Sequence, residues 1–168
     1  TYSFESPKVF DKLLLPEDAM ERQAIVIANP LGEDFSIMRT VSLNGMLTSL
    51  ATNYNRRNKV ARLYELGNIY LPKALPLTEL PDEKMRLTLG MYGAGDFFDM
   101  KGVVEEIFDK LGVTGAECEP SNDIPYLHPG RQARIQKGKL DLGFIGQIHP
   151  EVGDNYNLKT EAYVAVLN

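Results

Sequence analysis

Tryptophan is absent from this 168-residue sequence, and cysteine occurs once, as Cys118. A single thiol excludes an intrachain disulfide and a four-cysteine zinc site, and it fits a reducing cytoplasm. No apolar run approaches the ~20 residues that a membrane-spanning helix needs. The opening Thr1-Tyr2-Ser3-Phe4 has no initiator Met and does not read as a signal peptide, so the chain is expected to be cut from a longer protein. Positive charge is scarce: 18 Lys and Arg stand against 23 Asp and Glu, for a net charge of −5. Domains that hold nucleic acid through its phosphates are usually basic. The only basic cluster is Arg56, Arg57, Lys59 and Arg62. Its bland reading is a solvated helix end, where cations complement the dipole. Its sharper reading is a contact with RNA or an acidic partner.

What is present is an ordinary globular pattern of a length that usually means one domain, 1–168. Ser6-Pro7 reads as a helix start, with Val9, Phe10, Leu13 and Leu14 on one face. Ala24 to Ala28 reads as a short buried strand, followed by the turn Asn29-Pro30-Leu31-Gly32. Leu43, Met46, Leu47, Leu50 and Tyr54 form one stripe of a helix over 43–56, with Ser42 as its cap. Ala61 to Leu71 reads as strand, and Gly67 inside it marks a bulge or a close approach. Met85, Leu87, Leu89 and Met91 alternate with other residues, as in a half-buried antiparallel strand. Asp96 or Asp99 caps a helix whose stripe is Val103, Val104, Ile107, Phe108 and Leu111, stopped by Gly112. A hairpin turns at Lys137-Gly138-Lys139, and Tyr163 to Leu167 forms a last strand. Hairpin links dominate over βαβ alternation. The fold class is therefore α+β, a mostly antiparallel sheet flanked by helices.

Few residues suggest chemistry. His128-Pro129-Gly130 and His149-Pro150-Glu151 bring two imidazoles and a carboxylate into view as metal ligands or as hydrolase machinery. The prolines favour turn or cap roles at strand exits instead. Asp96 and Asp99 suit helix capping better than acid–base work. Gly93-Ala94-Gly95 joins a strand to a helix but lacks the rest of a phosphate loop. Cys118 sits between Glu117 and Glu119, which raise a thiol pKa rather than lower it. The residues alone stop at a domain with no convincing active site.

Five segments in order nevertheless carry a resemblance. Asn29-Pro30-Leu31 leads to Phe35-Ser36-Ile37-Met38-Arg39-Thr40 and the helix from Leu43 to Leu50. Asn53-Tyr54-Asn55-Arg56-Arg57 precedes Arg62-Leu63-Tyr64-Glu65-Leu66-Gly67. Asp96-Phe97-Phe98-Asp99-Met100-Lys101-Gly102, Tyr126-Leu127-His128-Pro129-Gly130-Arg131-Gln132-Ala133, and Gly143-Phe144-Ile145-Gly146-Gln147-Ile148-His149-Pro150-Glu151-Val152 follow. Together they resemble the synthetase-like core of bacterial phenylalanyl-tRNA synthetase β subunits. The resemblance implies a class II aminoacyl-tRNA synthetase catalytic-core-like fold, here a single non-catalytic domain within a longer β subunit. It implies a structural and subunit-interface role in a cytoplasmic phenylalanine–tRNA ligase, with an α subunit in an (αβ)2 heterotetramer as partner and phenylalanine tRNA bound by the whole enzyme. ATP and magnesium would serve the complex, with no cofactor and no metal in this domain.

Two departures from the wider class support a silent site. Leu71 stands where the strand of motif 2 is expected to end in a phosphate-binding arginine, and Tyr163 to Asn168 has neither the glycines nor the arginine of motif 3. The motif 1 helix is expected before Thr1. Arg39, Tyr126, His128, Arg131 and His149 then become candidates for a subunit interface or a vestigial pocket, with Arg39 expected to anchor an ion pair. Tyr126 to Arg131 is expected as a rigid surface loop. An exposed apolar patch is expected on the partner-facing surface. The rival reading is a free-standing synthetase-like module that binds an amino acid or nucleotide.

Overall fold

The computed structural model describes all 168 residues, Thr1–Asn168. Six strands form one fully antiparallel sheet: β3 (Ala61–Leu71), β4 (Asp82–Tyr92), β5 (Glu117–Pro120), β6 (Leu127–Lys137), β7 (Leu140–Ile148) and β8 (Ala162–Leu167). Their spatial order is β3-β4-β8-β7-β6-β5. A separate two-stranded ribbon pairs β1 (Phe4–Glu5) with β2 (Ile37–Met38). The helices are α1 (Val9–Lys12), α2 (Leu43–Asn55), α3 (Phe97–Leu111) and α4 (Pro150–Asn155). None is long and apolar enough to cross a membrane. The expected α+β class, with helices on a largely antiparallel sheet, is what forms.

The last strand shows how the layers are built. All six residues of β8 are buried. Alternation sends Ala162, Val164 and Val166 to one face and Tyr163, Ala165 and Leu167 to the other. The first face meets Leu43, Met46, Leu47 and Leu50 of α2, together with Val9, Phe10 and Leu13 of the N-terminal segment. The second meets Met100 and Val104 of α3. The sheet is thus a middle layer between two cores. Burying each large aliphatic side chain contributes about 1.5–3 kcal/mol.

This arrangement corrects several expectations. The half-buried strand is buried on both faces in its second half, from Thr88 to Tyr92, because α2 and α3 cover opposite sides. Ala24 to Ala28 is not a buried strand. Val26 makes one bridge to Ile37 and is 73% exposed, since the segment lies along the outer edge of the ribbon. On α3 the buried positions are Met100 and Val104, whereas Val103 and Leu111 are exposed. Tyr126 to Arg131 is not a surface loop: Tyr126 is buried and Leu127 opens β6, with an irregular register before Gln132. Ser42 makes no capping bond. Its Oγ instead accepts a 2.7 Å hydrogen bond from Thr88 Oγ1 inside the core. Strand β5 was not expected, because Glu117-Cys118-Glu119-Pro120 has neither alternation nor strand-forming residues.

Burial ranks the leucines. Leu47 is fully buried between α2 and the sheet, and Leu111 is 71% exposed. Leu47→Ala is expected to cost about 3 kcal/mol in urea unfolding, and Leu111→Ala less than about 0.5 kcal/mol.

Candidate functional site

The candidate residues do not converge. Arg39 follows β2 and turns into the molecule, Arg131 lies on β6, and His149 caps α4. Each lines a different cavity. Arg39 belongs to one of about 530 Å³ under the N-terminal segment, Arg131 to one of about 560 Å³ beside α3, and His149 to one of about 310 Å³ beside α4. Tyr126 and His128 line none of these.

Arg39 has the most constrained surroundings. Its side chain is 5% exposed. Nη1 donates to Glu65 Oε1 at 2.8 Å, and Nε donates to the Asn68 carbonyl at 2.6 Å. Its own carbonyl accepts from Tyr70 N at 2.9 Å. Burial alone pushes the Glu65 carboxyl upward, but the bonds from Arg39 and Thr1 outweigh it and hold the pKa below the usual carboxylate value. Gly67 lies between these partners. A Cβ there would collide with Arg39 Nη2, so the glycine marks a close approach by a side chain. The expected anchoring ion pair is present.

A second buried acid lies nearby that no local pattern announces. Glu5 is 4% exposed. Tyr156 OH donates to Asn44 Oδ1 at 2.8 Å, and Asn44 Nδ2 donates to Glu5 Oε2 at 3.0 Å. Glu5 Oε1 has no partner. Burial pushes this carboxyl up to about 7, against smaller opposing effects of Asn44 and Arg39. Residues 5, 44 and 156 meet only through the tertiary fold.

The histidines are local braces. His128 Nδ1 accepts from Gly130 N at 3.1 Å, and His149 Nδ1 accepts from Glu151 N at 3.2 Å at the start of α4. No three His, Cys, Asp or Glu side chains gather to hold a metal ion. Arg131 Nη1 donates to Gln147 Oε1 and, at 3.2 Å, to Glu161 Oε1.

The cavity beside Arg131 is lined by Phe97, Phe98, Lys101, Cys118 and Tyr163 among others. Its helix end is already filled. Asp96 Oδ1 accepts from Phe98 N at 2.8 Å and from Asp99 N at 3.3 Å, while Asp99 Oδ2 accepts from Asp96 N at 2.8 Å. This reciprocal capping box places two carboxylates where a phosphate would need free N–H groups. A Cβ at Gly95 would strike Asp99, so the glycine serves the cap. Burial raises the Cys118 thiol pKa, Lys101 opposes it and Glu105 adds to it. The direction is the expected one, but the cause is burial and α3 rather than Glu117 and Glu119.

Beyond α3 the same sheet face lies open. In-register neighbours Leu66 and Leu87, and Asn68 and Met85, continue the face that α3 covers farther along. Tyr64 is 79% exposed, Leu66 63% and Met85 57%. The sequence shows these residues as strand-forming, but not that β3 is an edge or that α3 stops short of it.

The model of the phenylalanyl tRNA synthetase beta chain CLM domain matches residues 1–168. The chain belongs to this family. It is similar to the phenylalanine–tRNA ligase beta subunit of Clostridium acetobutylicum, at 46% identity over 167 residues covering 99% of this chain and 21% of that protein. It is 42% identical to the beta subunit of Clostridium tetani over 168 residues, again 21% of that protein. The chain thus spans about a fifth of the length of these relatives. Among solved structures it is similar to a pyrrolysyl-tRNA synthetase from Desulfitobacterium hafniense, with a TM-score of 0.78 at 14% identity, covering 99% of this chain and 58% of that one. A second structure of that enzyme gives 0.74 at 15% identity. These likenesses show the fold, which is the expected class II synthetase core.

The Glu5 carboxyl makes stability depend on pH. Between about pH 4.5 and 7 the folded chain keeps a proton that the unfolded chain has shed, so this group's contribution falls as pH rises and is lost above about 7. Glu5→Gln is expected to flatten that decline and to stabilise the fold at pH 8 by on the order of 2–3 kcal/mol, read from urea unfolding across pH 4 to 9.

Proposed function

We propose that this chain is a single non-catalytic core domain of a phenylalanine–tRNA ligase β subunit, and that it supports the ATP-dependent attachment of phenylalanine to tRNA carried out with an α subunit. The observation that carries the reading is the chemical character of the sheet face that α3 leaves open. On this face Tyr64, Leu66, Met85 and Leu87 are apolar, Glu83 lies at one end, and the Arg62 guanidinium is tied to the Ala94 carbonyl. A triphosphate needs fixed cations and N–H donors at such a place. The nearby helix N-terminus, closed by Asp96 and Asp99, supports the same conclusion. ATP and magnesium act elsewhere in the complex, which we read as an (αβ)2 heterotetramer in the cytoplasm. Arg39 anchors the N-terminal segment. Arg131, His128 and His149 shape the surface around β6 and α4, where subunit contact is proposed, and Tyr126 supports it from below.

The test is phenylalanine-dependent ATP–pyrophosphate exchange. The β subunit alone is expected to give none, and addition of the α subunit to restore it. His128→Ala and His149→Ala complexes are expected to keep turnover within about twofold, since loss of an acid–base group costs about 10²–10⁴-fold. Exchange by the β subunit alone, or a hundredfold loss in either histidine variant, contradicts the reading.

A further inference from the structure

The two edges of the six-stranded sheet are treated differently. The β5 edge is four residues long, carries Glu117 and Glu119, and ends at Pro120. Short length, charge and proline are the usual protections against strand addition. The β3 edge runs for 11 residues without a proline. Its outward groups can be read from two observed bonds. Tyr70 N donates to the Arg39 carbonyl, and the Asn68 carbonyl accepts from Arg39 Nε, both away from β4. Antiparallel alternation turns the N–H and C=O of Arg62, Tyr64 and Leu66 to the same side. No backbone bond outside the β3–β4 ladder uses them. The Tyr64 and Leu66 side chains stand beside this open edge, 79% and 63% exposed.

We propose that the Arg62–Leu66 edge of β3 is a docking site for an extended segment of another polypeptide, which adds as an antiparallel seventh strand. Backbone bonding supplies the affinity, and alternate apolar side chains rest on Tyr64, Leu66 and Met85. Charge sets the composition of the segment. An antiparallel strand enters opposite Leu66 and leaves past Ala61, toward Arg56, Arg57 and Lys59. All three are exposed, and none makes an ion pair within the chain. The segment therefore carries acidic residues at its C-terminal end. A second copy of the chain fits less well: paired antiparallel about Tyr64, it would set its own Gly67–Tyr70 stretch, which carries no acidic residue, beside Arg56, Arg57 and Lys59.

The probe is a labelled peptide of alternating threonine and valine, six residues long, followed by two aspartates. It is titrated by fluorescence anisotropy into the full-length protein that carries this chain. Saturable binding is expected. N-methylation of two edge-facing peptide amides is expected to weaken it at least tenfold. Leu66→Lys, a solvent-facing change checked for folding by circular dichroism, is expected to do the same. Reversing Arg56, Arg57 and Lys59 to glutamate is expected to weaken binding several-fold and to remove its salt dependence. Absence of binding overturns the proposal. So does equal binding of the N-methylated peptide, or a concentration-dependent dimer of the protein that Leu66→Lys abolishes.

Discussion

The Arg39 guanidinium is the joint between two parts of the fold. It lies at the end of the β1–β2 ribbon, yet its donors are used on β3, at Glu65 and the Asn68 carbonyl. A buried guanidinium without a carboxylate is costly, and so is a buried carboxylate without a cation. Each therefore requires the other, and both require that position 67 have no side chain. The backbone bond from Tyr70 N to the Arg39 carbonyl fixes the same approach from the main chain. Through this joint the N-terminal segment is held against α2 and the sheet. Two of the segments that resemble the family, the one that runs through Met38-Arg39-Thr40 into Leu43 and the one that ends in Glu65-Leu66-Gly67, meet in one structural unit.

The remaining resembling segments also have structural work. Asp96 and Asp99 close the N-terminus of α3, which places Met100 and Val104 over β7 and β8. His149 starts α4, and Val152 from that helix enters the α2-side core. Gln132 Oε1 accepts from Ile124 N at 3.1 Å, holding the segment before β6 in place. The resembling segments are thus engaged in caps, braces and a buried ion pair. β3 and the first half of β4 remain open on the α3 side, with an apolar surface and an unprotected edge.

Much of this was legible in the residues. Leu43, Met46, Leu47 and Leu50 share a helical stripe, and Asp96 with Gly112 bounds α3; period and capping are local signals. The errors arise where a neighbour decides. Leu111 fits the α3 stripe by spacing, but the helix outruns the sheet beneath it. Val26 lies in an apolar run, but its strand partner is the two-residue β2, which leaves the side chain in solvent. Tyr126 to Arg131 reads as turn because of Pro129 and Gly130, yet Leu127 pairs with Ile148 of β7 ahead of an irregular register. Arg39, Arg131 and His149 all stand in the resembling segments, but the fold sends them to separate cavities. Glu5, Asn44 and Tyr156 lie far apart in sequence, and nothing local connects them.

Arg39 is proposed to couple the N-terminal segment to β3 rather than to bind a substrate. A double-mutant cycle with Arg39→Met and Glu65→Leu in the full-length protein tests this most directly, with unfolding free energy and ATP–pyrophosphate exchange of the folded complex both measured. A coupling energy of about 2 kcal/mol or more between the two positions is expected, with exchange per folded complex unchanged. Additive stability losses, within about 0.5 kcal/mol, together with lost exchange in a folded Arg39→Met complex, would contradict it.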